Sequence, residues 1–379
     1  MMRHLLAKLP FILFIFVPIF YVCQVLYPGE AENSNGIQDN VNFMHETGSS
    51  STPSPQDVTQ IKTYCEIQRL VNEYLNDDQI EDALEVLEYA KTKFEKDLYN
   101  IISLLTLYYP KTGQYDKLMD AWEYGQKRGL FFPARYQRYK PLFNTKRYKK
   151  FIKKNDQLRE EAQKNVKADY EIILPINYEL KREYPVLISL HGDNQNIGIF
   201  KKKWRLHAQS DQFILAYFQS SQLSGTDRFI WSEDKKRGKS DIINLYNRLR
   251  REYHIDESIV LIGGFSSGGA LAIDVAIGDQ IPIKGFIALC PAGMETSELD
   301  MNSLNKAKTR NIIGKIISGE KDAFAFNEQK KMSLLLDKAG INCELIIIPG
   351  MGHTFPRDFD VTLKEALRQM REMSKLNRE

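Results

Sequence analysis

From position 169 onward the chain alternates between two hydrophobic patterns. Short, nearly continuous runs of β-branched and aromatic residues stand as YEIILP, YPVLISLHG, QFILAYFQS, ESIVLIGGFS, IKGFIALCP, NIIGKIISGEKD and CELIIIPG. Between them lie segments of helical period, such as KSDIINLYNRLRREYH and GGALAIDVAIGD. Strand and helix in alternation predict right-handed crossovers and a mostly parallel sheet with helices on both faces. Strands buried on both faces need no polar alternation, which accounts for the unbroken apolar runs. The expected α/β unit spans 169–379.

Upstream the pattern changes. Residues 58–165 show apolar positions at helical spacing and no strand pattern, so a helical region is expected there. Ile80, Ala83, Leu84 and Leu87 fall on one helix face, and Tyr115, Leu118, Met119 and Trp122 on another. QIEDALEVLEYAKTKF from Gln79 aligns with QYDKLMDAWEYGQKRG from Gln114 at a 35-residue offset. The period and the Gly113-x-Tyr115 segment resemble tetratricopeptide-type helix pairs, with a plain helical bundle as the alternative.

Residues 1–29 read as a membrane anchor or signal peptide. Arg3 and Lys8 precede a run from Leu9 to Tyr27 without charge, and Glu30, Glu32 and Asp39 follow it. That asymmetry predicts an N-inside orientation with the remainder exported, either anchored facing outside the cytoplasm or secreted after cleavage near Ala31. Residues 30–57 are polar and Ser/Thr/Pro-rich and read as a flexible linker.

Composition narrows the function. At 379 residues, two or three domains of about 150 are expected. The net charge of +3 gives no whole-chain basic field, which argues against nucleic acid as a partner. Locally, 135–154 carries nine Lys/Arg and no acid, interleaved with aromatics; it suits a solvated basic helix face, or contact with an anionic lipid or wall polymer. No CxxC, HExxH or dinucleotide fingerprint in a suitable context occurs, so no metal and no organic cofactor are expected. Cys290 and Cys343 lie in apolar runs and read as buried free thiols.

The strand SIVLIGGF runs directly into a helix through Gly264-Phe265-Ser266-Ser267-Gly268, a Gly-x-Ser-x-Gly elbow. A serine on such a turn is a candidate nucleophile, because the following helix N-terminus presents N–H groups to a developing oxyanion. Asp322 follows the strand IIGKIIS, and His353 follows ELIIIPG within GMGHTF. The chain order Ser, Asp, His is that of an elbow hydrolase. Glu320 is the alternative acid. The strand PVLISL ends in His191-Gly192-Asp193, so the Gly192–Asp193 turn and Ser267 are the expected oxyanion-hole donors, with His191 structural. Trp204, Trp231 and Phe265 are candidate acyl-pocket walls.

These motifs resemble the α/β-hydrolase superfamily from about Tyr170 to the end. The chain is most similar there to serine esterases of the phospholipase/carboxylesterase and dienelactone-hydrolase-like groups, through SLHGD, GFSSGG, GEKD and GMGHTF. Asp193 stands where many relatives have Gly or Leu. The resemblance implies ester hydrolysis through an acyl-enzyme on Ser266, with His353 as base and Asp322 orienting it. It implies a small-molecule or lipid ester as substrate. The membrane would be met through the N-terminal segment if uncleaved, and a protein partner through the helical region. A prolyl-peptidase-type peptidase, an acyltransferase and a non-catalytic helical-repeat binding protein are the alternatives.

Overall fold

The computed structural model describes residues 55–206, 213–294 and 299–376. The expected anchor or signal at 1–29 lies outside them, as does most of the expected linker. The linker's end is described, because a 3-10 helix covers Pro55–Gln60. Among the described residues, no helix is long and apolar enough to cross a membrane.

Among the described residues, five α-helices precede the sheet: α1 Tyr64–Asn76, α2 Ile80–Lys93, α3 Leu98–Tyr108, α4 Tyr115–Gln126 and α5 Lys146–Gln163. Each packs on the next. A capping box starts α1: Thr63 Oγ1 accepts from Glu66 N at 3.3 Å, and Glu66 Oε2 accepts from Thr63 N at 3.0 Å. Its buried face then recurs as Ile67, Leu70, Val71 and Tyr74. Gln79 and Gln114 each stand immediately before a helix, so the 35-residue offset in sequence matches α2 with α4. Trp122 closes this core, with Tyr139 edge-on at 4.9 Å and Phe151 stacked at 5.1 Å. Most aromatics of the basic 135–154 stretch are thus packing residues. Arg147 pairs with Asp120 and Glu123 at the surface.

The α/β unit is built on β1 Asp169–Ile173, β2 Tyr184–Leu190, β3 Ile214–Gln219, β6 Ile255–Phe265, β7 Ile283–Leu289, β8 Ile313–Gly319 and β9 Asn342–Ile348. Their order is β1-β3-β2-β6-β7-β8-β9, and only β1 is antiparallel to its neighbour. A short hairpin, β4 Leu223–Gly225 and β5 Arg228–Phe229, stands apart. The helices are α6 Ile197–Phe200, α7 Lys235–Glu252, α8 Ser267–Ile277, α9 Met301–Thr309, α10 Phe326–Lys338 and α11 Phe359–Leu376. Alternate residues of the central strands feed two cores. Val186, Ile188 and Leu190 join the core shared with α7 to α10, while Leu187 and Leu215 join the one shared with α6 and α11. This is the α/β-hydrolase fold, a mostly parallel sheet flanked by helices. The direction of chain progression reverses at the β2/β6 seam, where ligands meet open sheets of this kind.

The helical region keeps a core of its own, running from Val58 to Phe151. Several polar contacts join it to the α/β unit. Phe131 N donates to Thr226 Oγ1 at 2.9 Å, and Arg159 pairs with Glu233 at 2.7 Å. Gln163 accepts from Leu223 N at 2.8 Å and donates to Ser221 O at 2.6 Å.

Separate apolar cores predict separate folding. A chain beginning at Lys164 is expected to unfold cooperatively on heating. Faster amide exchange is expected at Leu223, which loses the Gln163 acceptor. An insoluble product rescued by adding residues 57–163 would show instead that the two parts depend on one another to fold.

Candidate active site

The elbow forms because two backbones meet where only glycines fit. A Cβ on Gly264 would lie 2.6 Å from Gly268 C and 2.8 Å from Leu190 O. One on Gly268 would lie 2.6 Å from Leu190 O and nearer still to His191 O. The β6–α8 turn therefore sits hard against the end of β2. Ser266 takes φ 55° and ψ −123°, a strained conformation costing roughly 1–3 kcal/mol. Hydrogen bonds on both sides hold it: Ser266 N donates to Leu289 O at 3.0 Å, and Ser266 O accepts from Ala270 N at 3.0 Å and Ala292 N at 3.2 Å. The hydroxyl is left standing above the strand ends.

His353 reaches it from the loop after β9. That loop crosses the end of β8 at Gly319, where any Cβ would strike the Met351 and Gly352 carbonyls. Lys321 N donates to Met351 O at 2.8 Å and Glu320 N to Ile348 O at 3.0 Å, tying the two loops together. As a result His353 Nε2 lies 2.9 Å from Ser266 Oγ, and His353 Nδ1 lies 2.9 Å from Asp322 Oδ2. The imidazole is flanked by Phe265, 5.1 Å away, and by the exposed Phe324 at 5.3 Å. The structure brings together the three residues expected from sequence.

Asp322 is 1% exposed. Burial alone would raise its pKa. The opposing hydrogen bonds from His353, Gln329 and Ala325 N outweigh burial, and the carboxyl ends below its ordinary value. Glu320 stands elsewhere, accepting from Gly350 N at 2.8 Å. It fixes the turn before His353 and does not touch the imidazole.

The end of β2 requires a correction. Gly192 N is already committed to Gln195 Oε1 at 3.0 Å, so it is not free to meet an oxyanion. Its close approach to Phe265, 2.8 Å from any added Cβ, is what requires glycine here. Asp193 N and the N–H of Ser267, first residue of α8, remain as candidate donors on the two sides of the elbow. The Asp193 carboxylate binds these elements together. It accepts from Ser267 Oγ at 2.6 Å, Trp231 N at 2.9 Å and Ser232 Oγ at 2.5 Å. Burial raises its pKa despite these bonds. His191 is fully buried, its Nδ1 2.8 Å from Gly192 O, and burial pulls its pKa down to about 4. It is a neutral structural imidazole.

The aromatic candidates are also reassigned. Trp204 lies under the sheet beside Gly263, with Phe200 and Phe359, and Phe265 backs His353; neither faces open space. Trp231 does line a cavity of about 30 Å³, with Leu271, Met294 and Met332. Ser232, Ser267, Ala292 and Gly293 border both this cavity and a cleft of about 2600 Å³ over Ser266 and His353.

Sequence reasoning missed Gln329, on α10. It is fully buried, donating to Asp322 Oδ2 at 2.9 Å and to Pro291 O at 3.2 Å. No local motif marks it. It also missed Tyr136, whose hydroxyl accepts from Asn194 Nδ2 beside the oxyanion turn. Cys290 comes within 4.8 Å of the Asp322 and His353 ligand atoms. Burial, and next the Asp322 charge, push its thiol up to about 12, and Asp322 and His353 are bonded to each other. These groups do not fit a metal centre. Cys290 and Cys343 are both free thiols; Cys290 is buried and Cys343 half-buried.

The chain is similar to several known proteins. A bifunctional acetylxylan esterase/xylanase, XynS20E, of Neocallimastix patriciarum is 29% identical over 117 residues, covering 30% of this chain and 16% of that protein. The chain thus spans about a sixth of that relative's length. Among solved structures, an uncharacterized Bacillus cereus protein covers 82% of this chain and 100% of its own, at 23% identity and TM-score 0.46. Esterase PE8 covers 54% of this chain and 100% of its own, at 17% identity and TM-score 0.43. The family model described as phospholipase/carboxylesterase matches residues 229–370, the stretch that contains Ser266, Asp322 and His353.

Proposed function

We propose that the chain is a serine hydrolase of carboxylic esters. The observation that carries this reading is the hydrogen-bonded series Ser266–His353–Asp322, erected on a strained turn at the sheet's switch point. Ser266 Oγ attacks the ester carbonyl while His353 Nε2 takes its proton. Asp322, acceptor from Nδ1, holds the tautomer and stabilises the imidazolium. The oxyanion is held by Ser267 N and Asp193 N. His353 returns the proton to the leaving alcohol as the carbonyl re-forms. Water, deprotonated by His353, then releases the acid from Ser266.

The cavity beside Ser267 takes the acyl group in this reading. About 30 Å³ is room for little more than a water or a methyl group. Export through residues 1–29 belongs to the same proposal, as does a partner-binding role for the tetratricopeptide-like helices. Recovery of the protein from the cytosol after cell fractionation would contradict export.

A fluorophosphonate probe is expected to label the protein at Ser266, and p-nitrophenyl acetate to be hydrolysed. Ser266→Ala should lower turnover by on the order of a million-fold. Folded Ser266→Ala retaining a tenth of the activity would exclude this nucleophile.

Asp322→Asn should cost roughly ten-thousand-fold in kcat, and Glu320→Gln far less. A reversed order would reassign the acid.

p-Nitrophenyl acetate should exceed the octanoate ester in kcat/KM by at least about tenfold, since a longer chain must displace packed side chains. Faster octanoate turnover would place the acyl group elsewhere.

Stability carries its own test. A depressed folded pKa means that the Asp322 contribution is full above its ordinary 3.8 and is lost as pH falls through the lower folded value. Asp322→Asn should therefore lower Tm at neutral pH, with the gap to the wild type closing under acid. A gap independent of pH would contradict this.

A further inference from the structure

The cleft over Ser266 and the small cavity that it meets at Ser232, Ser267, Ala292 and Gly293 differ sharply in size. The cleft runs between the strand ends and the helical region. Among its described lining residues are ten lysines and arginines against five aspartates and glutamates. The whole chain carries only +3, so the positive charge is concentrated here. Both signs are partly committed. Asp193 has its three donors, and Asp227 accepts from Asn196 Nδ2 at 2.7 Å and pairs with Arg228 at 3.5 Å. Arg128 reaches Glu95 at 4.0 Å, and Lys201 pairs with Glu171 outside the cleft, which leaves Lys202, Arg205, Arg357 and Arg138 among the cations facing it.

The cations come from both parts of the molecule. Lys202, Arg205 and Arg357 are exposed on the α/β side. Lys111 and Arg138 stand on the helical side, close enough that the Arg138 charge, after burial, helps to lower the Lys111 pKa. Like charges held together in this way favour an anion between them. Tyrosines accompany them: Lys111 lies 4.6 Å from the Tyr108 ring, Arg138 5.1 Å from Tyr136 and Arg228 4.9 Å from Tyr99. Tyr136 in turn touches Asn194, next to the oxyanion turn. An aromatic, cationic surface thus leads from the helical region to the nucleophile.

We infer that the alcohol half of the ester is an acidic polyhydroxy chain, bearing carboxylate or phosphate groups along its length, which lies in this cleft. The inference rests on the ester-hydrolase reading of Ser266. A chain of repeated anions matches a row of cations, which the Tyr108, Tyr136 and Tyr99 rings hold in place from behind. A flat membrane surface would not enter a cleft closed by two structural units.

Binding and turnover are measured separately. In affinity electrophoresis, polygalacturonate is expected to retard the full chain, whereas neutral xylan is not. A glycerol-phosphate polymer in a parallel gel distinguishes phosphate from carboxylate. Retardation by single-stranded RNA alone would overturn the proposal in favour of a nucleic-acid ligand. In turnover, the measure is kcat/KM on O-acetylated polygalacturonate relative to O-acetylated xylan. A preference of at least about tenfold at low salt is expected, shrinking toward 1 M salt as the Debye length falls to about 3 Å. Lys202→Glu combined with Arg205→Glu should abolish the retardation and most of the preference. Lys364→Glu, an exposed charge reversal on α11 outside the cleft, should keep both. Equal binding of acidic and neutral polymers, or a preference that follows net charge in all variants, would overturn the proposal. If the wild type fails to hydrolyse p-nitrophenyl acetate, the hydrolase reading fails, and the electrophoresis still decides the polyanion site.

Discussion

Gly264 and Gly268 meet the carbonyls that close β2, and the site depends on that contact. Any side chain at either position would push the β6–α8 turn away from Leu190 and His191. The contact sets the height of Ser266 above the sheet. It also sets its separation from the Gly192–Asp193 turn, and so the spacing of the two N–H donors. The strain at Ser266 persists because the Leu289 carbonyl and the Ala270 and Ala292 amides fix the serine's backbone from both sides. A rigid parallel sheet with two cores can hold such a turn; a loop on its own could not.

The same economy of contact explains the position of His353. Its loop is anchored to the Asp322 loop by backbone bonds and by the Glu320 carboxylate on Gly350 N. Acid and base therefore move as one body. Cys290 fills the space behind them with a thiol that stays protonated, and Gln329 satisfies the second lone pair of Asp322 Oδ2. With both carboxylate oxygens bonded, the buried charge is compensated and the imidazole has one orientation.

Much of this was legible in the sequence because it lies in short motifs whose geometry is local. A strand running into Gly-x-Ser-x-Gly and then a helix permits few arrangements. Asp322 and His353 were legible because they directly follow strands whose C-terminal ends face one side of a parallel sheet. What the sequence hid depends on long-range packing. Gln329 looks like any polar helix residue until α10 is docked over Pro291. Gly192 reads as an oxyanion donor until Gln195, three residues on, folds back to take its N–H. Trp204 and Phe265 read as pocket walls because aromatic residues near a nucleophile invite that role; Trp204 instead fills the core under Gly263, and Phe265 backs the His353 imidazole. The anchor and most of the linker lie outside the described residues, and the tetratricopeptide likeness remains a matter of the 35-residue offset.

Asp193 poses the sharpest physical question. In the proposed mechanism a carboxylate here opposes the charge of the oxyanion, and burial makes its ionisation less favourable as well. Yet its three acceptor bonds lock Ser267, Trp231 and Ser232 to the end of β2. Removing it would leave the buried donors Ser267 Oγ and Trp231 N unpaired, at about 1–3 kcal/mol each, while the exposed Ser232 would turn to water. The side chain and the backbone of this residue thus have opposite electrostatic effects. The N–H favours the oxyanion, while the carboxylate disfavours it and fixes the N–H in place. Burial pushes the carboxyl toward its neutral form, and hydrogen bonding toward its charged form; the raised pKa shows burial prevailing. Asp193 therefore gains rigidity for the end of β2 through its bonds to Ser267 and Trp231, at the cost of a buried carboxyl whose pKa is raised above its ordinary value.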